Sequence, residues 1–285
     1  MKKREKAERA ISRERIEAFC AHLVAEEKAE NTVEKYLRDV KAFARYLAGN
    51  AATKETVLSY KSELLSAYAP VSINSMLVSL NRFFDFCGWQ DLKVKTLKVQ
   101  RQAYCPEEKE LTRREYERLV ETARRCGNER LALVLQTLCG TGIRVSELRF
   151  ITVEAAQAGE ATVSLKGKTR EVLIVRKLQR LLLAYAKKHG IESGAIFLTR
   201  NRRPINRSNV WREMKALCKS AWVNPKKVFP HNLRHLFARV FYGIKKDLAK
   251  LADILGHTSV ETTRIYLVST GAEHRRYLEN MRLIV

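Results

Sequence analysis

Apolar residues recur along the first 90 positions at the three- and four-residue spacing of amphipathic helices. Ile16, Phe19, Leu23 and Val24 form one stripe; Val33, Tyr36, Leu37, Val40, Phe43 and Leu47 form a second. Val57, Tyr60, Leu64 and Leu65 form a third, and Ile73, Met76, Leu77, Leu80, Phe83 and Phe84 a fourth, entered after Pro70 and Ser72. Asn31-x-x-Glu34 reads as a capping-box start for the second helix. The pattern predicts a small helical bundle over 1–92, with its aromatics in the core rather than free to stack on bases. Periodicity then fades over 93–106, "DLKVKTLKVQRQAYCP" from 91 on, where a basic residue returns every few positions. This stretch reads as an interdomain linker, with Lys93, Lys95, Lys98 and Arg101 spaced to follow phosphates.

Residues 107–285 read as a second domain. Thr112 and Glu115 make a capping box, with Leu111 and Tyr116 as its hydrophobic staple. A helix near Leu131 to Cys139 runs to Gly140, and "GTGIRVSELRFI" turns into a further helix. "ATVSL" and "EVLIV" (161–165 and 171–175) read as two strands about the basic turn "KGKTR". Helical patterns return in "RKLQRLLLAYAKKHG", in "RSNVWREMKALCKSA" and from Pro230 onward. The predicted fold is mainly α with a small antiparallel β-sheet.

Charge changes the picture. Lys plus Arg number 54 against 31 acidic residues, a net charge of +23 in 285 residues. Residues 1–100 hold 18 basic and 13 acidic side chains, and the rest hold 36 and 18, so the excess lies in the second domain. That excess points to a polyanion, most simply nucleic acid. Six cysteines include no C-x-x-C pair, and no histidine stands at zinc-finger spacing, so reduced thiols are expected, with Cys20 and Cys139 as small core residues. No apolar run approaches the ~20 residues of a membrane span, and "MKKREKAERA" has no apolar segment behind it. A cytoplasmic, nucleoid-associated protein with no membrane partner is expected.

The candidate chemistry is cationic. In "PHNLRHLFARVFY", His231 and Arg234 share one helical face, with His235 as a second choice. Arg144 follows a Thr-Gly turn at a predicted helix start, and Glu147 at i+3 can hold it in one rotamer. A lysine from "LKGKTR", either Lys166 or Lys168, and His257 and Tyr266 from "LGHTSVETTRIY" complete the set. No carboxylate pair or ligand cluster suited to a metal accompanies them. Such a set suits a phosphodiester, whose transition state gathers negative charge on its oxygens. Tyr266 would be the nucleophile; an ordinary phenol titrates near ~10, so it needs cationic neighbours or a base.

Arg144 in "TGIRVSEL", His231 and Arg234 in "HNLRH", and His257 and Tyr266 in "LGHTSVETTRIY" resemble, in order and spacing, the boxes of the tyrosine recombinases, the phage integrase family. "SLKGKTREVLI" is similar to that family's lysine hairpin, and the N-terminal helices are similar to its SAM-like core-binding domain. The resemblance implies a four-helix core-binding domain and a mixed α/β catalytic domain. It implies that Arg144 and Arg234 clamp the scissile phosphate, that His257 donates to it, and that His231 receives or positions the proton of Tyr266. Lys166, the lysine before the turn glycine, would protonate the leaving 5′-oxygen. Lys168 and Arg170 would then contact DNA, and Glu147 would be structural support. No cofactor is expected. The implied partners are double-stranded recombination sites, a homo-tetramer formed by C-terminal segment exchange, and accessory DNA-bending or directionality factors. The implied function is integration or excision of a mobile or phage element through a 3′-phosphotyrosine and a Holliday junction. The architecture resembles compact Xer-type and mobile-element enzymes of prokaryotic or phage origin, without room for an arm-binding domain. The alternative is a type IB topoisomerase-like relaxing enzyme.

Overall fold

The structure, a computed structural model, describes residues 9–99, 110–165, 167–257, 259–267 and 271–281, with the side chains of 165, 168, 267, 271–274 and 277 excepted. It divides into two compact units, Met1–Arg101 and Gln102–Val285.

The first unit is built from α1 (Arg13–Ala25), α2 (Glu30–Leu47), α3 (Lys54–Ala67), α4 (Pro70–Phe86) and a 3₁₀ turn, Gln90–Leu92. Ser12 caps α1 by accepting from the Arg15 amide, and Thr53 with Thr56 forms a capping box on α3. The expected box on Asn31 is absent. The second helix begins at Glu30 with Ala29 as its N-cap, so Asn31 already lies in the first turn. Phe19, Phe43, Phe83 and Phe84 are wholly buried, as the periodicity predicts, and each contributes ~1.5–3 kcal/mol by leaving water.

Part of the expected linker docks on this bundle. Asn81 donates to the Val94 carbonyl (2.8 Å) and accepts from the Val94 amide (3.0 Å); Asn74 does the same with Leu97 at 2.9 and 2.7 Å. Val94 is buried, and Lys93 is ion-paired with Asp85 at 2.8 Å. Lys95 and Lys98 are exposed; Arg101 lies outside the described residues.

The second unit contains α5 (Arg113–Arg125), α6 (Glu129–Thr141), a 3₁₀ segment (Val145–Phe150), α7 (Val153–Ala158), β1 (Glu160–Leu165) and β2 (Lys168–Leu173). There follow α8 (Arg176–Lys188), α9 (Arg207–Ser220), α10 (Pro230–Lys245), α11 (Leu248–Leu255), α12 (Val260–Arg264), a 3₁₀ turn (Ile265–Leu267) and α13 (Gly271–Asn280). The capping box of Thr112 and Glu115 is present on α5. Helix α6 is apolar on most sides and runs through the core, with Leu131, Leu133, Val134, Leu135 and Leu138 buried.

Two expectations shift. "VSELRF" is a six-residue 3₁₀ segment rather than an α-helix, because the Arg144 and Glu147 box tightens a turn too short to propagate. The second strand starts at Lys168, not at 171, because Lys168 already pairs with Leu165 across the hairpin; Gly167, at φ +71, takes the left-handed conformation the tight turn needs. The antiparallel register pairs Ala161 with Val172 and Val163 with Arg170. Ala161, Val163 and Val172 are buried, so the pleat turns Arg170 to the inner face with them.

Candidate active site

Helix α10 supplies the middle of the site. Pro230 opens it, and its first two turns present His231, Arg234 and His235. Arg234 is 1% exposed. Its Nη1 donates to the Gly142 carbonyl at 2.5 Å, and its Nη2 donates to the Leu255 carbonyl at 2.6 Å. Gly142 and Gly256 both end helices in the left-handed conformation, at φ +66 and +63. A Cβ on Gly142 would lie 2.5 Å from Phe237 Cδ1, so the close approach excludes any side chain there. The Arg234 Nε is buried and finds no hydrogen-bond partner among the described residues.

Arg144 leaves α6 just after Gly142. Its Nη1 donates to Glu147 Oε1 at 2.9 Å while its amide donates to Glu147 Oε2 at 2.8 Å. Glu147 is 1% exposed and also receives Arg170 Nη2 at 2.6 Å. Arg170 Nη1 donates to the Ile254 carbonyl at 2.9 Å. One buried carboxylate therefore orients two guanidinium groups from separate elements. Arg170, expected at the DNA, has its guanidinium inside this network. Lys166 lies outside the described residues, and Lys168 is placed only as the first residue of β2.

The tyrosine arrives from the other side. Ser259 caps α12 by accepting from the Glu261 amide. The turn after α12 places Tyr266 in the domain, 5% exposed and packed with Ala238, Leu251 and Leu255. Its hydroxyl is 3.0 Å from His231 Nε2. Its ring stacks on His235 (centroids 4.3 Å apart, 28° between planes), stands 5.1 Å from His257, and lies 5.8 Å from the Arg234 guanidinium carbon. His257 Nε2 is 2.9 Å from Arg234 Nη2, and its Nδ1 is 2.8 Å from Thr263 Oγ1.

The electrostatics follow from this crowding. Burial, then Arg234 and Arg144, hold the His231 imidazole below its ordinary range. Burial pushes His235 down to about 4, with His231 the next cause. Burial followed by the Arg234 and Arg144 charges pushes His257 down to about 4. Arg234 is lowered to about 10 by burial and by Arg144, so it stays charged at neutral pH. The three imidazoles are thus neutral lone-pair carriers, and the arginines carry the positive charge. Among the described residues, no group of three His, Cys, Asp or Glu side chains is arranged to hold a metal ion.

The structure brings together Arg144, Glu147, His231, Arg234, His257 and Tyr266. Sequence reasoning underrated His235 and missed Thr263 and the two accepting carbonyls. The sequence signals for the carbonyls are the glycines that end α6 and α11, just ahead of Arg144 and His257.

The chain is similar to known proteins over most of its length. The phage integrase family profile matches residues 109–273, and the profile for the phage integrase N-terminal SAM-like domain matches 16–91. Tyrosine recombinase XerC of Erythrobacter litoralis is 31% identical over 265 residues, covering 88% of this chain and 86% of the relative. Tyrosine recombinase XerA of Pyrococcus furiosus is 27% identical over 285 residues, 97% of each chain. A solved lambda integrase tetramer bound to a Holliday junction is similar in fold, with a TM-score of 0.72 at 17% identity, over 89% of this chain and 76% of that one.

Proposed function

The chain belongs to the phage integrase family, the tyrosine recombinases, a class of DNA breaking and rejoining enzymes, and from that premise we propose that it cuts and rejoins duplex DNA at specific sites through a 3′-phosphotyrosine and a Holliday junction. The observation that carries the reading is the contact of the Tyr266 hydroxyl with His231 Nε2 at 3.0 Å, beside the buried charge of Arg234.

The chemistry is a transesterification. A neutral His231 receives the phenolic proton at Nε2 as Tyr266 Oη forms a bond to the scissile phosphorus. The bond from phosphorus to the 5′-oxygen breaks, and Lys166 returns a proton to that oxygen. Arg144 and Arg234 stabilise the non-bridging oxygens, the step at which preorganised donors act most strongly. Glu147 fixes the rotamer of Arg144, so the clamp is set before DNA arrives. The free 5′-hydroxyl of another strand reverses the step. The phosphotyrosine keeps the bond energy, so rejoining consumes no nucleotide.

The +23 charge and the exposed Lys95 and Lys98 fit a duplex partner. Leu278 and Met281, 64% and 55% exposed on and just after α13, fit a segment that reaches into a neighbouring subunit to build a tetramer. Gly271 is the first residue of that helix. Service to a mobile or phage element and the use of accessory bending or directionality factors complete the proposal.

A nicked suicide duplex tests it. Wild-type protein should trap a covalent adduct on a denaturing gel, and Tyr266→Phe should bind the duplex yet trap none. An adduct from Tyr266→Phe would remove the assignment of the nucleophile. Sequencing the DNA recovered from the adducts identifies the target site and the element served.

A further inference from the structure

Thr263 is wholly buried on α12, three residues before Tyr266, and its hydroxyl meets the His257 ring. An arginine side chain has N–H donors and no acceptor. The 2.9 Å contact of Arg234 Nη2 with His257 Nε2 therefore makes Nε2 the acceptor. A neutral ring then carries its proton on Nδ1, which donates to Thr263 Oγ1. The cationic surroundings keep the ring neutral, with its pKa pushed down to about 4 by burial and then Arg234.

That arrangement is opposite to the donation to the scissile phosphate that the family resemblance implies for His257. To donate to a phosphate oxygen, the ring needs its proton on Nε2. Nδ1 then becomes a lone pair that requires a donor. A hydroxyl is the small side-chain group that both donates and accepts. We infer that Thr263 is a positioning residue that lets His257 change from acceptor to donor as a phosphodiester enters, its hydroxyl accepting from Nδ1 in the free site and donating to Nδ1 in the bound one. The inference rests on the recombinase reading of the site. The proton balance is neutral: Nδ1 releases one proton to water, Nε2 takes one from water, and the hydroxyl rotates. The same change releases Arg234 Nη2 from His257, so one rearrangement delivers two donors to the phosphate. Because Thr263 rides on the helix leading to Tyr266, the bond also registers that helix against the clamp.

The test uses full-length protein and two variants. Thr263→Ser keeps the hydroxyl; Thr263→Val keeps the shape without it. Single-turnover cleavage of the nicked duplex should stay within about threefold of wild type for Thr263→Ser and fall about tenfold or more for Thr263→Val, with duplex affinity unchanged in both. Long-range proton–nitrogen spectra of histidine-labelled protein supply the second readout, with His257 assigned by its loss in His257→Gln. Free protein should show Nδ1 protonated and Nε2 bare. The Tyr266→Phe protein bound to the duplex recovered from adducts should show the reverse. Equal cleavage by the valine and serine variants, or a bound His257 still protonated on Nδ1 alone, would overturn the switch and leave the recombinase reading standing. Absence of any adduct from wild-type protein would remove the recombinase reading and the switch with it.

Discussion

Replacing Glu147 by glutamine probes the network that holds the clamp before DNA is present. The carboxylate is 1% exposed and receives the Arg144 amide, Arg144 Nη1 and Arg170 Nη2 at 2.8, 2.9 and 2.6 Å. A glutamine of nearly the same shape keeps one acceptor oxygen and turns an NH₂ toward a guanidinium. The two halves of the loss differ. Arg170 has a side chain only 15% exposed, so removing its partner leaves a mostly buried charge with, among the described residues, only the Ile254 carbonyl as acceptor. Breaking such a pair costs ~3–5 kcal/mol. Arg144 has a side chain 41% exposed, and water replaces much of what it loses, so its share is below ~1 kcal/mol. At ~2–4 °C per kcal/mol for a domain of this size, the catalytic unit should melt ~6–20 °C lower. Calorimetry of the full chain reads this directly, and single-turnover cleavage below the new melting point should fall ~10-fold or more as Arg144 loses its fixed rotamer. A melting shift under ~2 °C would refute the view that this carboxylate organises both arginines.

Arg144→Ala and Arg234→Ala should each slow single-turnover cleavage by ~100-fold or more, the scale for one preorganised donor, and rates near wild type would contradict the clamp. Lys166→Ala should recover activity on a substrate with a 5′-bridging phosphorothiolate, whose sulfur leaves without a proton, while Lys168→Ala keeps most activity on the ordinary substrate; the opposite pattern moves the role to Lys168. Folding stability should fall as pH drops. The folded-state pKa of His235, about 4, lies below the unfolded value of 6.5, so its contribution is full above the unfolded value and lost as pH approaches 4. The shift is worth up to ~3 kcal/mol, and His257, also pushed down to about 4, adds in the same direction; a urea midpoint unchanged from about pH 7 to 4.5 would show that neither ring is depressed. Deleting 272–285 should preserve single-site binding and abolish pairing of two sites; wild-type levels of tetrameric synapse on sedimentation would assign the segment to its own domain.

The helices were legible where side chains carry the signal: the Phe19, Phe43, Phe83 and Phe84 stripes and the Thr112 and Glu115 box match the observed elements. Caps at Thr53 and Ser259 were not, because several Ser and Thr residues compete within each turn and only backbone geometry selects one. The second strand began three residues early because its apolar run, 171–175, is offset from its paired residues, 168–173. The site's titratable side chains were legible because spacing on α10 and across the Gly256 turn is set by helix geometry. The inward turn of Arg170 depends on hairpin register, and the carbonyls of Gly142 and Leu255 carry no side-chain signal.

Those two carbonyls have a consequence for how much charge the site presents. Each belongs to the C-terminal end of a helix, α6 or α11, where aligned peptide dipoles leave roughly half a negative charge. Arg234 is thus solvated in the interior by oriented dipoles rather than neutralised by a counter-ion. A carboxylate in the same place would stabilise the guanidinium but cancel the field felt by an approaching anion. Dipoles do the first without the second: they are fixed in direction, they carry no net charge, and their reach ends within a helical turn. Beyond the reach of those dipoles Arg234 keeps its whole unit charge, so its long-range pull on DNA is separated from the local contacts that keep it buried.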